Sequence, residues 1–277
     1  MNRAYGIAFV LLLAAGGGLL WWRHQRSAAE VVATPAPTVA PPAPPPAAAP
    51  PAAPAIRHPL GAASAGGQPS LDSSDAYVEN ALVDLLGHKK IRAFLHLDGA
   101  VRRFVATVDN LATGDAPASL WPVQTTGGRF DTEARDGGLA IGAHNAERYA
   151  PFVRFVDGID ARRAVALYRR VYPLLQQAYE DLGYPGKYFN DRVVEVIDSL
   201  LATPAPAGPI AVKRFVADGG TSREASRGPS EGGLYVFADP ELEASPAGQK
   251  ILLRMGSDNA APLLAKLREI RALIVVR

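Results

Sequence analysis

The chain has 277 residues, 48% of them hydrophobic, with 24 prolines and no cysteine. The missing cysteine excludes disulfides, thiolate metal centres and cysteine nucleophiles. The formal charge of +2 belongs to the N-terminal region: four arginines and one glutamate precede Pro59, leaving 25 basic against 26 acidic residues. The C-terminal part therefore lacks the basic footprint that nucleic-acid binding requires.

Residues 4–22 carry no charge. At 1.5 Å per residue they reach about 28 Å as a helix, close to the roughly 30 Å hydrocarbon core of a bilayer. Trp21 and Trp22 suit the interface, and Arg23 follows directly. A long apolar run with bulky residues at its end reads as a retained anchor over residues 1–26, not a cleaved signal peptide. The lipid bilayer is thus an expected partner. Arg3 before the span and Arg23 and Arg26 after it nearly balance the positive-inside rule. The linker that follows looks built to cross a gap, which favours a domain outside the cytoplasm. That linker, residues 27–70, holds ten prolines between Pro35 and Pro54, interleaved with alanine. Such a tract cannot build a core and favours extended polyproline II. At about 3.1 Å per residue, roughly thirty residues would reach some 90 Å.

The remainder, 71–277, is expected to fold. Ser73 or Ser74 caps a first helix through Leu86, with Tyr77, Ala81, Leu82 and Leu85 as its stripe. A short helix with Ile91, Phe94 and Leu95 follows. A third, from about Asp98 to Leu111, turns Val101, Phe104, Val105 and Val108 inward. Alternation at Phe130, Thr132 and Ala134, with a turn at Asp136-Gly137-Gly138, predicts one β-hairpin. Helix resumes at Asn145. Asp160 caps a long segment in which Leu167, Val171, Leu174, Ala178 and Leu182 mark one apolar face. Pro173 is expected to kink this helix or start a new one. Gly183 stops it, Tyr184-Pro185-Gly186 turns, and Asn190 caps a second helix with stripe Val193, Val196, Ile197, Leu200 and Leu201. The result is an αα-hairpin at the centre of the domain. Strands near 210–216 and 234–237 flank a Gly/Ser-rich loop at 217–233 and form a second hairpin. Asp239-Pro240 and Pro246 open short helices, and Asp258 or Asn259 caps the last. The fold class is mainly α (α+β): a compact helical domain with two small β-hairpins.

Few patterns carry chemistry. Gly228-Pro229-Ser230-Glu231-Gly232 matches the nucleophile-elbow pattern, but it lies in a loop before a strand, and no histidine follows His144 to complete a triad. His24, His58, His88, His96 and His144 show no ligand spacing, so no metal and no cofactor is expected. Glu180, Asp181, Asp191, Glu195, Asp198, Asp239, Glu241 and Glu243 could hide an acid–base pair, although solvated helix faces are the simpler reading. The stronger candidate is the aromatic turn. Tyr184 and Tyr188 beside Asn190, Asp191 and Arg192 combine aromatic bodies, polar tips and a guanidinium, as binding surfaces do. The competing structural reading is that the rings pack over the helix crossing.

Several segments also resemble a known family: Val108-Asp109-Asn110-Leu111, Asn145 through Arg148-Tyr149 to Pro151, Tyr172-Pro173-Leu174, Leu182-Gly183-Tyr184-Pro185, Tyr188-Phe189-Asn190-Asp191-Arg192, Phe237-Ala238-Asp239-Pro240 and Ala247-Gly248-Gln249-Lys250. Over most of 71–272 the chain resembles the bacterial family known as domain of unknown function 3014. The resemblance implies a domain set after one membrane span and a Pro/Ala-rich linker. It supplies no activity and no catalytic residues. The expectation is a single-pass protein of the bacterial inner membrane with its domain in the periplasm, binding an envelope protein or the cell-wall polymer. The expected surface joins the Tyr184–Arg192 turn to Asn145, Arg148 and Tyr149. A cell-wall or glycan hydrolase and a small-ligand sensor are the alternatives.

Overall fold

The computed structural model describes residues 55–60, 67–215 and 235–275. The expected anchor, most of the Pro/Ala tract, the 217–233 loop and the Gly228–Gly232 pattern lie outside the described residues. Among those described, no helix is long and apolar enough to cross a membrane. The fold is mainly helical, with one small antiparallel sheet.

Helix α1 spans Asp75–Leu86, α2 His88–Phe94 and α3 Ala100–Leu111. Ser74 precedes α1, but its hydroxyl donates to Leu71 O at 2.7 Å instead of capping the helix. A 3-10 segment, Ala143–Arg148, leads into α4, Ala150–Asp157. Helix α5, Ala161–Asp181, starts where the Asp160 carboxylate accepts from Arg163 N at 2.8 Å, and it runs through Pro173 without a break. Helix α6 spans Phe189–Leu201, α7 Pro240–Glu243, α8 Ala247–Met255 and α9 Ser257–Ile274. The short helix expected to open at Asp239-Pro240 is α7, and the Asp239 side chain caps it. Neither Asp258 nor Asn259 caps α9, whose N-cap is Gly256. Asn259 is instead buried and donates to Ala146 O and Met255 O.

Helix α6 is the organising element. Phe189, Val193, Val194 and Ile197 face the core made with α3, α5 and α9, while Val196 and Leu200 face a second cluster with Val153, Leu252 and Met255. A helix apolar on two sides has to sit between layers. The αα-hairpin is present, yet each arm finds its main partner elsewhere: α5 on α3, and α6 on α9. Two residues expected inside are at the surface. Leu182 is 45% exposed because it is the last residue before the turn, and Phe104 is 36% exposed at the mouth of an apolar cavity. Helix α8 approaches closely because residue 248 is glycine. A Cβ there would stand 2.5 Å from Leu200 Cδ2 and 3.1 Å from Leu111 O.

The expected separate hairpins are one sheet. Strands β1, Thr132–Arg135, and β2, Gly138–Ile141, pair across the Asp136-Gly137 turn. Strands β3, Ala211–Arg214, and β4, Tyr235–Phe237, form the second pair. Pairing of Leu139 with Val212 and of Ala140 with Ala211 joins them in the order β1-β2-β3-β4. A lone two-stranded ribbon is marginal in water, so edge-to-edge pairing is the stable outcome. Val212 and Phe237 then pack on Leu253 of α8.

Candidate functional site

The turn between α5 and α6 begins as a closed helix end. Gly183 N donates to Glu180 O at 3.1 Å and Tyr184 N to Tyr179 O at 3.4 Å, the Schellman arrangement, with Gly183 at φ +115°. The accompanying contact is aromatic: the Tyr179 and Tyr184 rings stack at 4.6 Å. Helix α6 is then capped across the hairpin and not by Asn190. Gln176 Oε1 accepts from Phe189 N at 2.9 Å, and the Tyr172 hydroxyl accepts from Asn190 N at 3.1 Å.

This releases the Asn190 side chain for another task. It is 0% exposed. Its Nδ2 donates to His58 O at 2.8 Å and to Ile274 O at 3.2 Å, while its Oδ1 accepts from the Tyr168 hydroxyl at 3.0 Å. One buried amide thus ties α5, the end of α9 and a segment near residue 58. Asn190 is not a surface residue while the strap lies over it.

The segment near residue 58 corrects the expected linker boundary. Residues 55–60 lie against the turn as a strap that bends at Arg57 and His58. The Asp191 carboxylate accepts from Arg57 N at 3.0 Å and from His58 N at 2.7 Å. The Tyr188 hydroxyl accepts from Leu60 N at 2.9 Å. Leu60 is 8% exposed and joins the main core. Pro59 has no N–H, so Asp191, Asn190 and Tyr188 answer the N–H groups of 57, 58 and 60 and the carbonyl of 58. All these bonds address the strap's backbone, none its side chains.

Next to the strap lies a charged triangle. Arg192 donates through Nε to Asp109 Oδ1 at 2.8 Å, through Nη2 to Asp109 O at 2.9 Å and through Nη1 to Glu195 at 3.0 Å. The Tyr184 hydroxyl donates to Asp109 Oδ2 at 3.0 Å. Burial alone would lower the Arg192 pKa, but Asp109 and Glu195 outweigh it and hold the guanidinium charged more firmly than usual. The hydrogen bond to Asp109 raises the Tyr184 phenol, and burial lifts Tyr179 to about 12. Ala55, Arg57, Tyr184, Tyr188 and Arg192 border a shallow cleft of about 410 Å³ here.

Asn145, Arg148 and Tyr149 do not join this surface. Among the described residues the two sets share no hydrogen bond, ring contact or cavity. Asn145 is likewise 0% exposed. It donates to Arg254 O at 2.8 Å and accepts from Arg148 Nη1 at 2.8 Å and Asp131 N at 3.3 Å. Arg148 also donates to Gly127 O at 3.0 Å and lies 5.5 Å from the Tyr149 ring centre. Arg148 and Tyr149 line a second cleft, of about 520 Å³, with Lys250 and Arg254. Its cations are engaged: Lys250 with Glu243, Arg254 with Tyr235 O and the Phe237 ring.

Sequence reasoning missed the strap, Gln176, Tyr172 and the role of Asp109. Asp109 had a signal, since it lies in one of the segments shared with the family. Residues 55–60 had none beyond the end of the proline tract. Among the described residues no group of three or more His, Cys, Asp or Glu side chains is placed to hold a metal ion.

No curated protein and no solved structure matches the chain. The model of the family described as protein of unknown function DUF3014 matches residues 100–271. That span covers Asp109, Asn145 and the whole α5–α6 turn and leaves out the strap, α1 and α2. The chain belongs to the DUF3014 family.

Proposed function

We propose that the chain is a single-pass protein of the bacterial inner membrane, presenting its helical domain in the periplasm as a non-enzymatic binding module for a peptide segment of an envelope partner. The observation that carries this reading is the strap: the Tyr188-Asn190-Asp191 cradle already holds a peptide segment, and its hydrogen bonds all go to that segment's backbone, while Leu60 packs into the core. Backbone recognition accepts varied sequences, as in sites that read extended peptides. Consecutive N–H groups received by one carboxylate suit a polypeptide better than a cell-wall glycan. In this reading the anchor and Pro/Ala tract bring the strap to the cradle, and a partner segment exchanges with it.

A hydrolase draws less support. Most of the carboxylates weighed for acid–base work have other tasks: Asp191 holds the strap, Asp198 pairs with Arg271, Glu195 with Arg192, Glu243 with Lys250, and Asp239 caps α7.

The test uses the full chain with residues 55–60 replaced by Gly and Ser, and a labelled peptide of residues 53–62 followed by fluorescence anisotropy. Saturable binding is expected, weakened about tenfold or more by Asp191→Ala, because two hydrogen bonds to a charged acceptor are lost. A folded strap-replaced chain that ignores the peptide, or binds it equally well without Asp191, sinks the reading.

A further inference from the structure

Between α1, α3, α4 and α5 lies a cavity of about 410 Å³ walled almost wholly by carbon, including Val78, Val101, Phe104, Phe155, Val171 and Leu175. The polar side chains among its lining residues are His96 and Tyr168, and the Tyr168 hydroxyl is committed to Asn190. Native interiors pack to crystal-like density with few voids larger than a water. Ligand sites run from about 300 to 1,000 Å³ and are mostly apolar. Five leucines around it, Leu82, Leu85, Leu86, Leu95 and Leu97, remain only half-buried, and Phe104 stands partly open at the mouth.

A basic helix adjoins this lining in sequence. Helix α2 connects the lining residues Leu86 and Leu95, and Ile91 is its one buried residue. Lys89, Lys90 and Arg92 are exposed on it, and none of their side chains makes an ion pair or hydrogen bond among the described residues. The acids flanking them in sequence are Asp84 and Asp98, so residues 84–98 keep a surplus of positive charge. We propose that the cavity holds the hydrocarbon chain of a single-chain anionic amphiphile of the fatty-acid class, with its carboxylate towards Lys89, Lys90 and Arg92. This does not rest on peptide exchange at the cradle, and either can fail alone.

The test is photolabelling. The full chain is mixed with phosphatidylcholine vesicles carrying a diazirine-labelled long-chain fatty acid or the matching fatty alcohol, and adducts are mapped by mass spectrometry. The expected adducts fall on peptides containing Val78, Phe104, Phe155 and Val171, with the acid labelling several-fold more than the alcohol. In a separate competition without vesicles, with unlabelled fatty acids kept monomeric in water, each added methylene should strengthen binding about fourfold. Ala164→Phe, which fills the cavity, should abolish these adducts while labelling of residues 1–26 persists. The surface variant Lys89→Glu/Lys90→Glu/Arg92→Glu leaves the cavity intact, so it decides the matter if Ala164→Phe fails to fold. It should reduce labelling by the acid several-fold and leave the alcohol unchanged. Adducts confined to residues 1–26, labelling by acid and alcohol that the triple variant does not move, or cross-links joining two copies of the chain at the cavity in place of lipid adducts would each overturn the proposal.

Discussion

The cradle and the cavity lie on the same helix and differ in what lines them. Helix α5 gives Tyr172 and Gln176 to the cradle, Val165, Val171 and Leu175 to the cavity, and Tyr168 to both. The cradle is polar and filled: Asn190, Asp191 and Tyr188 are engaged by the strap, and His58 Nδ1 is the one strap side-chain atom left buried without a partner. The cavity is apolar, with half-buried leucines among its lining. A polar network loses stability when any member is removed, because the others stay buried and unpaired. An apolar cavity has room for added carbon. Substitutions at the two places should therefore move stability by different amounts.

The largest effect is expected from Asn190→Ala. It leaves His58 O, Ile274 O and the Tyr168 hydroxyl without their partner, and an orphaned buried group costs about 1–3 kcal/mol. A loss of about 3 kcal/mol, or about 9 °C in thermal midpoint, follows for a domain of this size. Asn145→Ala removes an equally buried amide that ties the β1 side to α8, and it should cost about 2 kcal/mol. The two separate in a second readout: Asn190→Ala should free the strap, whereas Asn145→Ala should leave it in place. Equal strap release in both would show that the strap follows global stability and not the Asn190 amide.

Asp191→Ala comes next. It removes the acceptor for two strap N–H groups at a partly exposed position, so about 1–2 kcal/mol is expected. Limited trypsinolysis after Arg57 is the sensitive measurement. Cleavage there should quicken at least about fivefold, while sites within α5 and α6 remain protected until global unfolding. Unchanged cleavage at Arg57 would mean that Leu60 burial alone holds the strap.

The cavity arm is smaller. Ala164→Leu adds carbon to a space that has room for it, so stability should change by less than about 1 kcal/mol in either direction, against the 1–3 kcal/mol typical of overpacking a filled core. A loss beyond that range in chemical denaturation would show that the wall at Ala164 is already tight.

How much of this was legible in the sequence depends on whether the cause is local. The α5–α6 hairpin, the Asp160 and Asp239 caps, the Gly183 stop and the Asp136-Gly137 turn follow from residues within four positions of one another, and the pattern carries them. The roles of Asn190 and Asn145 do not. An asparagine ahead of an apolar stripe reads as a cap, and only the Tyr172 and Gln176 side chains arriving from α5 displace it from that role. The strap depends on contacts across more than 120 positions, such as Leu60 with Tyr188, which no local pattern encodes. Joining Asn145, Arg148 and Tyr149 to the Tyr184–Arg192 turn failed for the same reason. Both segments are shared with the family, but shared segments need not share a surface, and these serve separate parts of the fold.

The smallest effect concerns the bond that holds α6 to α9 beside the cradle. Arg271 donates to both oxygens of Asp198, with Nη2 to Oδ2 at 2.9 Å. The Arg271 hydrogen bond keeps the Asp198 carboxyl below its ordinary range. A carboxylate whose pKa is depressed by folding contributes stability that is present above the unfolded value, near 4, and is lost as pH falls through the lower folded one. The Asp198 side chain is 48% exposed, so solvent screening holds the contribution below about 1 kcal/mol. Asp198→Asn should therefore shift the denaturant midpoint slightly at about pH 7 and less in high salt, and the difference should fade as pH falls through the depressed folded pKa, below which both proteins carry a neutral side chain. The phenol of Tyr179 works at the other end of the scale. Its folded pKa is raised to about 12, so its contribution is intact below pH 10 and disappears as the phenol ionises on the approach to 12. A wild-type minus Asp198→Asn difference that stays the same from neutral to acid pH would assign the Asp198–Arg271 contact to packing and shape instead of charge.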